Sequence, residues 1–203
     1  MTEEAYEKPF PSRELTDPRA MRALAHPRRL DLIELLFVEG PMTASQCATR
    51  LGDSPASCSY HLRQLAKWGF VEETGEGHGR ERPWRHVPIG TSFGGGETES
   101  QRSAAALLGD IVNERRFAKV REHHATQDRL PKDWADAALS SDFTFWASAE
   151  ETLQLGRQIL ELIGPLQRRT LEGGDRPEGA CLVEWLVYAF PLPTGQSEGS
   201  SDA

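Results

Sequence analysis

One stretch does most to limit what this chain can fold into. Between Gly52 and Gly69 the sequence reads turn, cap, helix, stop. Gly52-Asp53 is a tight turn and Ser54 is a capping residue. Pro55 takes the first helical position, where its missing donor costs nothing, and the helix runs to about Trp68 before Gly69. Inside it, Cys58, His61, Leu62 and Leu65 recur at helical spacing and make one apolar face. The other face carries Ala56, Ser57, Ser59, Tyr60, Arg63 and Lys67. Small residues and hydroxyls near a helix N-terminus let phosphate oxygens approach its free N–H groups. Tyr60 and Arg63 have the length to reach into a major groove, and arginine is the usual partner of guanine.

The flanking segments turn this helix into a pattern. Upstream, Asp17 or Thr16 caps a helix starting at Pro18, and His26-Pro27 ends it and opens a second helix that stops at Gly40-Pro41. Leu30, Ile33, Leu36 and Phe37 recur along that second helix. Thr43 caps a short third helix, 44–51. Downstream, 70–74 reads as a strand, Gly75, Gly77 and Gly79 as a turn, and 82–88 as a returning strand. Helix, helix, short helix, turn, helix and hairpin is the order of a winged helix-turn-helix. His78, Arg80 and Arg82 at the hairpin, with Ser54 at the helix cap and Arg28 and Arg29 after Pro27, are further candidate contacts to a phosphate backbone. Trp84 reads as a packing residue that seats the hairpin on the helices.

Residues 23–87 resemble the winged helix-turn-helix of the ArsR-type bacterial transcriptional regulators. The resemblance rests on the segments beginning at Ala23-Leu24-Ala25-His26-Pro27, Ser45, Ser57-Cys58-Ser59-Tyr60-His61-Leu62 and Gly69-Phe70-Val71. It implies a homodimer on double-stranded DNA with a roughly palindromic operator, most simply as a repressor. It also implies Ser57, Ser59, Tyr60 and Arg63 as readers and Arg80 or Arg82 as wing contacts. The metal-sensing branch of that family uses a cysteine pair where this chain has Thr43 and Ser45, so thiolate ligation is not expected there. Cys47 has no second soft ligand near it in sequence, and Cys58 reads as a small buried hydrophobe. His123 and His124 are adjacent and diverge by about 100° on a helix. A second metal-binding pattern of the family fails at Val112, two residues after Asp110. No metal and no cofactor are expected.

The rest of the chain reads as a mainly helical protein with some β structure. Residues 1–16 form an arm, 17–89 the DNA-binding domain, 90–100 a glycine-rich linker, 101–192 an α+β dimerisation half and 193–203 a disordered tail. Helices are expected over about 101–127 and 132–139. A further helix opens at Ser148, where Glu151 completes a capping box. Runs 143–147 and 181–190 are β-prone and are expected to pair in one small sheet. Both faces of 181–190 are apolar and need cover. Trp134, Phe143, Phe145, Trp146, Trp185 and Tyr188 cluster in this half, either as dimer core or as the lining of a pocket for a small apolar effector.

Composition excludes several classes. Residues 18–88 hold 10 Lys+Arg against 8 Asp+Glu, and the remainder 13 against 23. A mildly basic part beside an acidic one suits a chain that touches a polyanion with one part only. No apolar run approaches the roughly 20 residues of a membrane span, and the acidic N-terminus is unlike a secretory signal. Three cysteines do not make a disulfide scaffold. A cytoplasmic protein without membrane contact is expected. Nucleotide-loop, zincin, nucleophile-elbow and paired-CxxC signatures are missing, so no enzymatic activity is expected. The competing expectation is a winged helix that binds proteins and not DNA.

Overall fold

The computed structural model describes residues 8–76, 82–94 and 96–193. Helices dominate, with two small sheets. The elements are β1 (Ser12–Leu15), α1 (Pro18–Leu24), α2 (Pro27–Glu39), α3 (Ala44–Leu51), α4 (Pro55–Lys67), β2 (Val71–Glu73), β3 (Trp84–His86), β4 (Gly90–Phe93), α5 (Glu99–Thr126), α6 (Lys132–Ala137) and α7 (Ala149–Leu171). No helix of the described residues is long and apolar enough to cross a membrane.

Local signals set most helix starts. The Asp17 carboxylate accepts the Arg19 N–H, and Pro18 stands at the first position of α1. Thr43 and Gln46 form a capping box at α3, and Ser148 and Glu151 form another at α7. The Ser54 hydroxyl accepts the Ser57 N–H at α4. Gly69 closes the end of α4 with φ +67°, a conformation in which an L side chain is strained.

The apolar faces of α1 to α4 converge on one core. Leu32 and Leu36 come from α2, Cys47 and Ala48 from α3, and Cys58, Leu62 and Leu65 from α4. Leu32 is more deeply buried than any residue the spacing pattern singled out on α2. The wing pairs β2 and β3 antiparallel, with Val71 opposite His86 and Glu73 opposite Trp84. Met42 adds a third short edge by exchanging both backbone hydrogen bonds with Trp84, at 2.9 and 2.8 Å. The indole of Trp84 is buried in the core, as its packing role requires.

Two segments depart from the expected organisation. Ser12–Leu15, placed in a flexible arm, and Gly90–Phe93, placed in the linker, form a parallel two-stranded sheet in register from Ser12–Gly90 to Leu15–Phe93. Arg13 fastens it to the helices: its Nη1 donates to the Trp68 carbonyl at 3.1 Å, and its guanidinium lies 4.5 Å from the Phe70 ring centre. Burial of Leu15 stabilises this pairing, which composition alone does not reveal. The start of α5 also belongs to the N-terminal core, since Ala104, Ala105 and Leu108 are buried within it.

The expected C-terminal sheet does not form. Runs 143–147 and 181–190 are not strands and make no ladder with each other or with other described residues. Run 181–190 lies along α5 instead. Tyr188 stacks on Phe117 with ring centres 6.0 Å apart and donates to Asn113 Oδ1 at 3.1 Å. Glu184 pairs with Lys119 at 3.0 Å. A strand exists by virtue of its ladder partner, and β propensity without one leaves an extended chain. This half is helical within one chain.

Candidate nucleic-acid interface

The surface of α4 is the outward face of the core just described. Cys58, Leu62 and Leu65 point inward, so the residues half a turn away point out. Ala56, Tyr60, Arg63 and Lys67 follow one another at helical spacing, and all four are exposed, Tyr60 by 51%. Ser54 and Pro55 extend that row to the helix N-terminus. No acidic residue lies between Ser54 and Lys67. Arg63 has no hydrogen-bond or ion-pair partner among the described residues. Lys67 extends beside Trp68, its Nζ 5.8 Å from the ring centre. An unpaired guanidinium on an exposed helix face, flanked by a phenol, suits a groove lined by base edges and phosphates.

Several residues expected on this surface are engaged elsewhere. The Ser57 hydroxyl donates to Asp53 Oδ2 at 3.1 Å, and Ser57 and Ser59 are half-buried. Arg28 is tied on three sides: to Asp53 at 2.9 Å, to Asp31 at 3.4 Å and to the Leu51 carbonyl at 3.3 Å. Arg29 donates to the Ala23 carbonyl and to His61 Nδ1, the latter at 3.4 Å. Both arginines join helices to one another, and neither guanidinium is presented as an open phosphate contact. Arg82 is exposed on the wing and pairs with Glu73 at 3.2 Å. Beside it Arg85 pairs with Glu72 at 2.8 Å. His78 and Arg80 lie outside the described residues.

Electrostatics fix the helix entry. The Ser54 backbone N–H holds the Asp53 carboxyl below its ordinary range, with help from the Ser57 hydroxyl and Arg28 against a smaller opposing effect of burial. Beneath α4, the rings of His26 and His61 lie 4.6 Å apart. Burial lowers the His61 pKa, and His26 and Arg29 lower it further. The sequence reading did not find this pair, although His61 on the inner face next to Pro27's helix start was a visible signal.

Thiol chemistry does not fit this surface. Cys47 and Cys58 are buried, and burial pushes the Cys47 thiol up to about 11. Thr43 serves as a helix cap. The described residues hold no group of three potential metal ligands.

The aromatic residues of the C-terminal half do not enclose a cavity in the single chain. Trp134 is half-buried, while Phe143, Phe145, Trp146, Trp185 and Tyr188 are exposed. Two clefts lie elsewhere, one beside Pro9 and Pro165 and one beside His123 and Leu130. The pocket expected from sequence needs walls that this chain alone does not supply.

Residues 24–74 match a family model described as a helix-turn-helix domain. Among solved structures, a MarR family regulator from Neisseria meningitidis is similar at 14% identity and TM-score 0.33, over 73% of this chain and 80% of its own. No curated protein matches the chain.

Proposed function

We propose that this protein is a sequence-specific DNA-binding transcriptional regulator of the ArsR type, acting as a dimeric repressor. The observation that carries the reading is the open row on α4: Ala56, Tyr60, Arg63 and Lys67 exposed on one face, acid-free, with Arg63 unpaired among the described residues. Seated in a major groove, this row puts Arg63 and Tyr60 at base edges and Lys67 at phosphate. The wing, with Arg82, lies against the adjoining backbone. Two such helices related by a twofold axis read a roughly palindromic operator, and the dimer supplies the second half-site at high effective concentration. No catalytic step and no metal enter this function.

The test is selection of DNA fragments by the full-length protein from its own genome, followed by binding at several salt concentrations. A recurrent inverted repeat with affinity at least 10³ above random duplex supports the reading, that being about the lower end for specific recognition. Equal, steeply salt-dependent binding to every fragment, or none, removes it.

A further inference from the structure

The C-terminal run 181–190 forms neither helix nor strand, and its backbone makes no hydrogen bond to the backbone of any described residue. One face of it is held in register. Glu184 reaches Lys119, and Tyr188 reaches Phe117 and Asn113, so these two side chains lie toward α5, and Leu186 between them is partly covered. Val183, Trp185 and Val187, which alternate with them, are 53%, 63% and 52% exposed. A β-branched and aromatic segment whose backbone has no ladder partner is a template for another strand, and a folded protein covers such an edge.

The amount of uncovered surface says what covers it. Phe143, Phe145, Trp146, Trp185, Tyr188 and Phe190 are each 44% to 91% exposed. At roughly 200 Å² for an aromatic side chain, they alone offer on the order of 800 Å². That is about what one partner contributes to a stable interface. Leu155, Leu162 and Leu166 of α7 are exposed as well. A surface of this size in one half of the chain suits a second copy better than a small ligand. Antiparallel pairing of a strand with its own symmetry mate satisfies a twofold axis, because residue i meets j and j meets i.

We propose that 181–190 is an interchain strand: it pairs edge to edge and antiparallel with the same run of a second copy, forming a sheet that spans the dimer and rests on both α5 helices. This deepens the dimeric part of the proposed function and rests on it, and its test needs no DNA. Single cysteines are placed at 183, 185, 186 and 187 in full-length Cys181→Ser protein, and each variant is oxidised mildly. Self-pairing gives strong cross-linking at one position or two neighbouring ones, where the axis passes, and little at the others. Val187→Pro removes a ladder donor and should turn the dimer into monomer in sedimentation, with the helical circular dichroism kept. Monomeric parent protein overturns the proposal. So does a dimer that survives Val187→Pro without a cross-linking maximum. Cross-linking confined to mixtures of Phe145→Cys with Trp185→Cys overturns self-pairing in favour of exchange with 143–147. Loss of DNA recognition with the cross-linking pattern intact would remove the proposed function and leave this interface standing.

Discussion

The Nε of Arg28, in the first turn of α2, donates to Oδ2 of Asp53 across 2.9 Å. The same carboxylate oxygen accepts the Ser57 hydroxyl, and its other oxygen accepts the Ser54 N–H at 2.6 Å. One aspartate therefore locks the entry of α4 to α2. Replacing Arg28 with Ala should lower the melting temperature by several degrees and weaken operator and scrambled duplex alike, because the helix loses its anchor and no base contact is touched. Melting curves with parallel titrations of the two duplexes measure this. An unchanged melting temperature with lost affinity would make Arg28 a DNA contact after all.

Arg63 should behave in the opposite way. Arg63→Ala is expected to leave stability within about 0.5 kcal/mol, as for an exposed residue without partners. Operator affinity should fall by about 1–3 kcal/mol, while affinity for random duplex changes far less. Equal losses on both duplexes would make Arg63 a phosphate contact.

The wing arginine contributes charge, and its ion pair with Glu73 is exposed and weak. Arg82→Ala should therefore flatten the salt dependence of binding by about one unit of slope, with little change in sequence preference. Affinity measured from low to moderate salt gives the slope directly. An unaltered slope places Arg82 away from the duplex.

Leu108 ties α5 to the N-terminal core, where it is fully buried. Leu108→Ala should destabilise the whole winged helix by about 2–5 kcal/mol. For the same reason a chain cut after Gly96 should fail to fold, whereas one cut after Arg129 keeps the core and should be a folded monomer with weak operator binding. Circular dichroism and sedimentation of the two truncated chains decide this. A stable dimer of the longer piece would move the subunit interface out of the C-terminal half.

Acid should destabilise the fold in two stages. Burial lowers the pKa of His61 and of His86, with neighbouring positive charge adding to it in both. The folded state then binds fewer protons than the unfolded chain, so stability falls as pH drops below the ordinary histidine value of 6.5. A second loss follows in the carboxylate range. There burial raises the Glu34 pKa but is outweighed by hydrogen bonds from Lys119 and Arg115, leaving it low, and Asp53 is low as well. Melting temperatures between pH 7.5 and 5.5 should fall for the parent and fall less for His61→Phe. Parallel curves for the two proteins would contradict the assignment to His61.

Local chemistry was legible in the sequence. The caps Asp17, Thr43, Ser54 and Ser148, the prolines at helix starts and Gly69 act within three or four residues, so reading them needs no tertiary knowledge. The inward face of α4 follows from helical periodicity, and its outward row follows from the inward one. Arg28, Arg29 and Ser57 were expected at the DNA, and the sequence could not show that they also bond within the domain, because an arginine or a serine on a helix reads the same whichever partner it has.

What the tertiary structure decided is everything that joins distant parts of the chain. It pairs Ser12–Leu15 with Gly90–Phe93, sets Asp53 against Arg28, packs Leu108 among the N-terminal helices and lays 181–190 along α5 through Lys119 and Phe117. Propensity marks 143–147 and 181–190 as extended but does not name their mates. A ladder is a relation between two backbones, and whether a second backbone arrives depends on where the intervening helices carry it.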